Sequence, residues 1–138
     1  MTDDKSKVPL TRKANRFGLI NDKYSSLVQI SNQPCVVIEI GSSLTKVGFS
    51  VDAVPRAILR TPLDLFDGSR RDLAKFLSDV YKHSLKTSPH NHKVCLIEDP
   101  TSNRESFERL VQCLFVDIRV PAICAIPSLN WKSFFLFL

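Results

Sequence analysis

The sequence has no apolar run long enough to cross a membrane, and its first residues include no apolar segment of signal-peptide length. A membrane-spanning helix takes about 20 predominantly apolar residues. The apolar residues 134–138 are far fewer than that. We therefore expect neither secretion nor membrane insertion, and no membrane partner.

The cysteines and histidines lack the close spacing of a zinc site or a disulfide framework. Four cysteines lie far apart, each inside an apolar run: Cys35, Cys95, Cys113 and Cys124. This pattern predicts reduced, buried thiols, as in a cytosolic or nuclear protein. His90 and His92 form a His-x-His pair, but no neighbouring residue spacing supplies further ligands, so we predict plain loop histidines and no metal site.

The sequence also lacks the alternation of aromatic and basic residues that marks a base-stacking platform. The net charge of +5 is concentrated near the start, where residues 5–16 contain five basic residues opposed only by Asp3 and Asp4 just before them. Residues 1–33 are interpreted as a basic, flexible arm. We therefore do not expect specific nucleic-acid binding, and a basic-arm nucleic-acid-binding module is kept only as a weaker alternative.

The remaining chain, with 138 residues in all, has the size of one domain. Three β-prone runs at residues 35–40, 46–51 and 55–59 are closely linked, which predicts an antiparallel meander. Capping boxes beginning at Ser69 and Ser102 each precede an apolar stripe of helical spacing, and strands are predicted at residues 94–97 and 118–126. The first stripe includes Phe76 and Tyr81, and the second includes Phe107 and Phe115. We predict an α/β fold over residues 34–128, with a five-stranded mixed sheet in which the meander is followed by two β-α-β crossovers.

The turn between the first two runs is the main candidate functional feature. An acid, Glu39, ends the first run, Gly41, Ser42 and Ser43 fill the turn, and Lys46 lies beyond it. Such a hairpin could present donors to a phosphate and a carboxylate to its metal ion. The alternative is a solvent-exposed hairpin with incidental polar residues. The topology would place residues 39–43, 98–99 and 127–128 at one edge of the sheet, where strands end.

Two blocks of residues resemble the actin and actin-related family. Residues 36–49 read as an apolar run, an acid, and then x-Gly-Ser-Ser-x-x-Lys-x-Gly-Phe, followed by Asp52 and Pro55-Arg56-Ala57. The downstream block consists of Glu98, Asn103-Arg104-Glu105, Leu114-Phe115 and Val120-Pro121-Ala122. The resemblance implies an actin-like (ribonuclease H-like) ATPase fold, represented here by part of its first subdomain.

The departures from the family pattern fall on its chemical groups. Glu39 stands where the family has the aspartate that organises hydrated magnesium, Ser43 replaces a loop glycine, and Ser128 replaces the glutamine that positions the attacking water. The resemblance then implies no catalytic residues and no metal site. It implies a vestigial nucleotide loop formed by Glu39, Gly41, Ser42, Ser43 and Lys46. No cofactor is expected in this chain, although ATP or ADP with Mg is possible in a full-length parent.

The connection at residues 60–69 is short where actin carries the insertion that grips the next subunit. In this respect the chain is similar to the divergent actin-related branch at the pointed end of dynactin, the dynein cofactor. The resemblance implies a non-catalytic structural subunit in the cytoplasm and cytoskeleton, with the other dynactin subunits as partners. Residues 129–138 form a divergent apolar tail, and we expect the chain to be a fragment. The alternative is an ATP-binding or ATPase member of the actin, Hsp70 and sugar-kinase superfold.

Overall fold

The computed structural model describes residues 32–99 and 102–127. Within these ranges there are five strands: β1 (Val36–Ile40), β2 (Leu44–Phe49), β3 (Ala57–Arg60), β4 (Val94–Glu98) and β5 (Ile123–Pro127). The α-helices are α1 (Arg70–Asp79) and α2 (Arg104–Cys113), which continue as π-helices at Val80–Leu85 and Leu114–Ile118, and a 3-10 turn spans Pro89–Asn91. Most of the predicted arm, Ser128 and the predicted tail at residues 129–138 lie outside the described residues, so they stay predictions.

The strands form one mixed sheet in the order β3-β2-β1-β4-β5. β1 pairs antiparallel with β2, and β2 pairs antiparallel with β3. β4 lies parallel to both β1 and β5. The prediction of an α/β fold with a five-stranded mixed sheet is confirmed. Within residues 32–99 and 102–127, no helix has the length and apolar character that crossing a membrane requires.

Local side-chain hydrogen bonds fix where both helices begin. The Ser69 hydroxyl accepts from the Asp72 N–H and the Asp72 carboxylate accepts from the Ser69 N–H, which is the predicted capping box. The second capping prediction was wrong by one residue. Asn103, not Ser102, caps α2, because its side-chain oxygen accepts from the Glu105 N–H.

Three strand predictions also need correction. β3 spans Ala57–Arg60 rather than residues 55–59. β2 begins at Leu44, two residues earlier than predicted, because the Gly41 N–H donates to the Leu44 carbonyl across a tight turn. β5 begins at Ile123 rather than at Ile118, since Ile118 ends the second π-helix. The intervening residues turn the chain back toward the sheet.

The main hydrophobic core lies between one face of the sheet and the helices. Its largest fully buried residues include Ile38, Leu77, Leu96 and Leu114. Phe115 is 45% exposed, although the periodicity predicted it to be buried. A π-helical turn contains more residues than an α-helical turn, so a stripe extrapolated at α-helical spacing leaves the buried face there. A smaller cluster on the opposite sheet face contains Val37, Cys95 and Ile97, with Ile126 packed against it.

Both π-helices end in a left-handed residue with a side chain. Lys86 has φ 52° and Arg119 has φ 63°. At each position, the N–H of this residue and the N–H of the next residue both donate to a carbonyl of the helix that ends there. The left-handed conformation costs a residue with a Cβ about 1–2 kcal/mol, whereas glycine adopts it freely.

We expect Lys86→Gly to raise the free energy of unfolding by about 0.5–1 kcal/mol, after allowing for the greater entropy of the unfolded glycine chain. Urea unfolding would measure this, and Lys86→Ala, which retains the Cβ, is the matched control. Equal effects of the two substitutions would contradict the strain argument.

Candidate functional site

The β1–β2 hairpin holds the predicted site residues. Glu39 pairs in register with Lys46, and Ile40 pairs with Thr45, which leaves residues 41–44 as the turn. Among the described residues, positive φ occurs only at Lys86 and Arg119. Ser43 therefore occupies its position without left-handed strain, and this turn does not require the family's glycine for backbone reasons.

Glu39 and Lys46 contact each other across the hairpin. The Lys46 Nζ lies 3.3 Å from the Glu39 Oε2, and both side chains are partly exposed. The group expected to meet phosphate and the group expected to meet metal thus form an ion pair with one another. Such a partly solvated pair contributes little to stability, about 0–1 kcal/mol, so it can be disrupted without unfolding the sheet.

The turn itself is open to solvent and is anchored from one side. Ser42 and Ser43 are exposed, and within the described part of the chain their hydroxyls have no hydrogen-bond partner. The Ser43 carbonyl accepts from the Thr61 N–H at 3.0 Å, and the buried hydroxyls of Thr45 and Thr61 are 2.8 Å apart. These contacts fix the hairpin turn against the end of β3.

A small cavity of about 20 Å³ lies beside the Glu39–Lys46 pair. Most of its lining is apolar or backbone, including Val37, Gly48 and Ile97. Sites for drug-sized ligands usually occupy about 300–1,000 Å³, so this cavity by itself is too small for a nucleotide.

The carboxyl ends of the three parallel strands share one sheet edge, as the sequence predicted for the described positions. Glu39 lies in register with Ile97, and Glu98 lies in register with Pro127. A small cavity of about 30 Å³ there is bounded by the ends of β1 and β4 and by the start of α2, and its polar lining includes Glu98 and Asp99. Ser128, the remaining predicted member of the edge, lies outside the described residues.

Asp52 organises the β2–β3 turn, a role that the sequence analysis missed. Its carboxylate accepts from the Phe49 N–H at 2.9 Å and from the Arg56 Nε at 2.9 Å, while the Arg56 guanidinium lies 4.4 Å from the centre of the Phe49 ring. A Cβ on Gly48 would lie 3.2 Å from the backbone nitrogen of Arg56. The sequence signal was an acid at a turn with an arginine four residues later. These residues of the actin-like block therefore have a structural role in this chain.

We expect Asp52→Asn to lower the free energy of unfolding by about 1–2 kcal/mol at neutral pH, because hydrogen bonds to a charged group are lost. Partial burial of the carboxyl opposes ionisation, but the Phe49 N–H and Arg56 together hold the pKa of Asp52 below its ordinary value. A lowered folded-state pKa gives stability that is complete above the unfolded pKa and is lost as the pH falls through the folded pKa. The difference between the two proteins should thus be constant above about pH 5 and shrink below the ordinary carboxyl pKa of 3.8. Urea titrations at several pH values would test this, and a difference that grew on acidification would contradict it.

His92 is not the plain loop histidine that was predicted. It is buried, its Nδ1 is 2.8 Å from the Pro34 carbonyl oxygen, and its Nε2 is 3.0 Å from the Thr87 hydroxyl. Its ring also makes an edge contact with Phe49 at a centroid distance of 5.0 Å. His92 therefore joins three segments of the chain. No group of three or more His, Cys, Asp or Glu residues in the described ranges is placed to hold a metal ion.

The cysteines are all free thiols, but they are not all buried. Cys95 and Cys113 are buried, whereas Cys35 is partly exposed and Cys124 is exposed. The prediction was wrong for Cys124, because an apolar sequence on the outermost strand β5 is not covered on both faces. Burial, assisted by the Asp117 carboxylate, raises the pKa of Cys113 to about 12, so this thiol is inert at neutral pH.

The structure thus brings Glu39 and Lys46 into contact and places Gly41, Ser42 and Ser43 in the adjoining turn. Which ligand, if any, this loop contacts stays a prediction from the sequence. No protein-family model matches the chain. The resemblance to actin is carried by the residues quoted above.

Proposed function

We propose that this chain is the N-terminal part of an actin-related protein and serves as a non-catalytic structural subunit of dynactin. In this proposal it acts at the pointed end of the actin-like filament, in the cytoplasm and cytoskeleton, during dynein-driven transport along microtubules. Its partners are the filament subunits and the other pointed-end subunits. The observation that carries the proposal is the position of the two blocks that resemble the actin family. They meet at one edge of the sheet, where the hairpin turn follows β1 and the Asn103 cap follows β4.

The connection between β3 and α1 supports the pointed-end position. It closes on itself through hydrogen bonds from the Leu65 N–H to the Pro62 carbonyl and from the Gly68 N–H to the Asp64 carbonyl. Leu65, which belongs to this connection, is buried. Such a compact connection offers no extended loop of the kind that grips a following subunit in actin.

The hairpin supports a role without hydrolysis. The Lys46 Nζ and the Glu39 carboxylate form an ion pair, so the positive charge needed for phosphate and the negative charge needed for hydrated magnesium partly neutralise each other. Glu39 is also one methylene longer than aspartate, which leaves less room for the hydration shell of a magnesium ion at this position. These residues do not fit a hydrolytic magnesium–nucleotide site.

Capture of purified dynactin pointed-end subunits by the tagged 138-residue chain tests the proposal. We expect co-purification that resists moderate salt. A chain carrying Ile38→Ala, in which the central strand is weakened, should capture less and is the control for dependence on the folded sheet. Absence of capture by the wild-type chain, shown to be folded by circular dichroism, would reject the proposal.

A second candidate is an ATP-binding or ATPase function, favoured by the exposed Ser42 and Ser43 hydroxyls at the turn. Our proposal predicts no ATP turnover by the chain. Turnover by the wild type that fell with Lys46→Ala, but not with the matched exposed-lysine variant Lys82→Ala, would favour the enzyme instead.

A further inference from the structure

Two cysteines lie side by side on neighbouring strands. Cys95 of β4 and Cys124 of β5 are directly paired in the parallel register. Neighbouring strands lie about 4.7–4.9 Å apart, and the Cα atoms of disulfide-bonded cysteines are usually about 4.4–6.8 Å apart. The backbone therefore already holds these two residues at a distance suited to a disulfide bond.

The two thiols also share one face of the sheet. Cys95 belongs to the small cluster with Val37 and Ile97, and Ile126 packs against the same cluster. Cys124 is two residues before Ile126 on the same strand, so it projects toward this face. Burial first, and then the nearby sulfurs of Cys124 and Cys35, raise the pKa of Cys95 to about 11. The paired register and the shared face together place the two thiols next to each other.

The two thiols differ in access to solvent. Cys124 is exposed on the outermost strand, whereas only 6% of Cys95 is accessible. Cys35 lies one strand away on a diagonal, since Val37 rather than Cys35 is the register partner of Cys95. An oxidant in solution therefore meets Cys124 before it can meet Cys95.

We propose that Cys124 and Cys95 form a peroxide-sensitive thiol pair. The Cys124 thiolate attacks one oxygen of hydrogen peroxide, the O–O bond breaks, and hydroxide leaves and is protonated to water, so Cys124 becomes a sulfenic acid. The Cys95 sulfur then attacks the Cys124 sulfur and gives up its proton as it does so: the S–S bond forms, the S–O bond breaks, and the departing hydroxide takes up the Cys95 proton to form the second water. Two thiols and one peroxide give one disulfide and two waters, and a dithiol reductant reverses the reaction.

This cross-link would attach the outermost strand β5 to β4 and close a loop that contains α2 and its π-helical continuation. Covalent closure of a loop of this kind restricts the unfolded chain and resists separation of the edge strand. The inference rests on the paired cysteines alone and does not depend on the function proposed above.

The test treats the full chain with hydrogen peroxide, blocks the remaining thiols with maleimide under denaturing conditions, and maps disulfides by mass spectrometry without reduction. We expect loss of two of the four titratable thiols, with a cross-linked peptide pair containing Cys95 and Cys124. Dithiothreitol should restore both thiols.

Three single variants make the result decisive. Cys124→Ser should abolish peroxide oxidation of Cys95, and Cys95→Ala should leave Cys124 as sulfenic acid or a higher oxide, while Cys35→Ser should leave the cross-link unchanged. Circular dichroism before treatment shows that each variant is folded. Recovery of Cys95 as a free thiol in the folded wild-type chain, with Cys124 present only as a higher oxide or an intermolecular disulfide, would overturn the proposal.

Discussion

Replacing Ile38 with alanine is expected to lower the free energy of unfolding by about 2–5 kcal/mol. Ile38 is fully buried on β1, the central strand, and lies in register with Val47 and Leu96. Its removal leaves a cavity in the core between the sheet and the helices, and the surrounding strands relax only in part. Because domains of this size have a total stability of about 5–15 kcal/mol, this loss is a large fraction of the whole.

Two matched variants separate this cavity effect from a general effect of altering isoleucine. Ile38→Val removes one methylene and should cost about 0.5–1.5 kcal/mol. Ile58→Ala makes the same change as Ile38→Ala on the outer strand β3, where the residue is 58% exposed, and should change stability by no more than about 0.5 kcal/mol. Urea unfolding followed by circular dichroism measures all three proteins. Similar losses for Ile38→Ala and Ile58→Ala would show that the core does not lie where the structure places it.

The features that were predicted from the sequence depend on neighbouring residues. The Ser69 capping box and the stripe through Leu73 and Leu77 involve residues within one or two helical turns, so their pattern is visible in the chain. The strands β1 and β4 were likewise predicted from runs of consecutive apolar residues. The π-helical turn at residues 114–118 has no such pattern, and it caused the errors at Phe115 and at the start of β5.

The candidate site was predictable only in part for the same reason. The sequence placed Glu39 and Lys46 on the two strands of a hairpin, but their contact depends on a register that the turn length determines. The exposure of Cys124 depends on strand order, which places β5 at the outside of the sheet. The Asp52–Arg56 pair and the His92 contacts are long-range or turn-specific, so composition and periodicity did not reveal them.

Several residues of the actin-like block have structural roles, so fewer of its residues are left to indicate a function. Gly48 allows the close approach of the Arg56 backbone, and Asp52 holds the turn that follows. These residues account for much of the block without any ligand. The residues left for a functional assignment are the exposed Ser42 and Ser43 and the Glu39–Lys46 pair.

Replacing Thr45 with valine is expected to lower the free energy of unfolding by about 1–3 kcal/mol, although valine has nearly the same shape. The Thr45 hydroxyl lies 2.8 Å from that of Thr61, and both residues are buried. The single substitution leaves the Thr61 hydroxyl buried without its partner, and the cost of desolvating that group is then uncompensated. Thr61→Val should be destabilising for the corresponding reason.

The double variant Thr45→Val/Thr61→Val should be close to the wild type, because neither residue then has an unpaired buried hydroxyl. Urea unfolding of the four proteins gives the coupling energy between the two residues, expected to be about 1–3 kcal/mol. Strictly additive losses would contradict a direct hydroxyl–hydroxyl bond.

Since this bond ties β2 to the end of β3, the single variants should also loosen the Ser43 contact with Thr61, and faster amide exchange of Thr61 would detect that change. Under the function proposed above, and if the loop acts through a fixed turn, the single variants should weaken capture of dynactin subunits more than the double variant does.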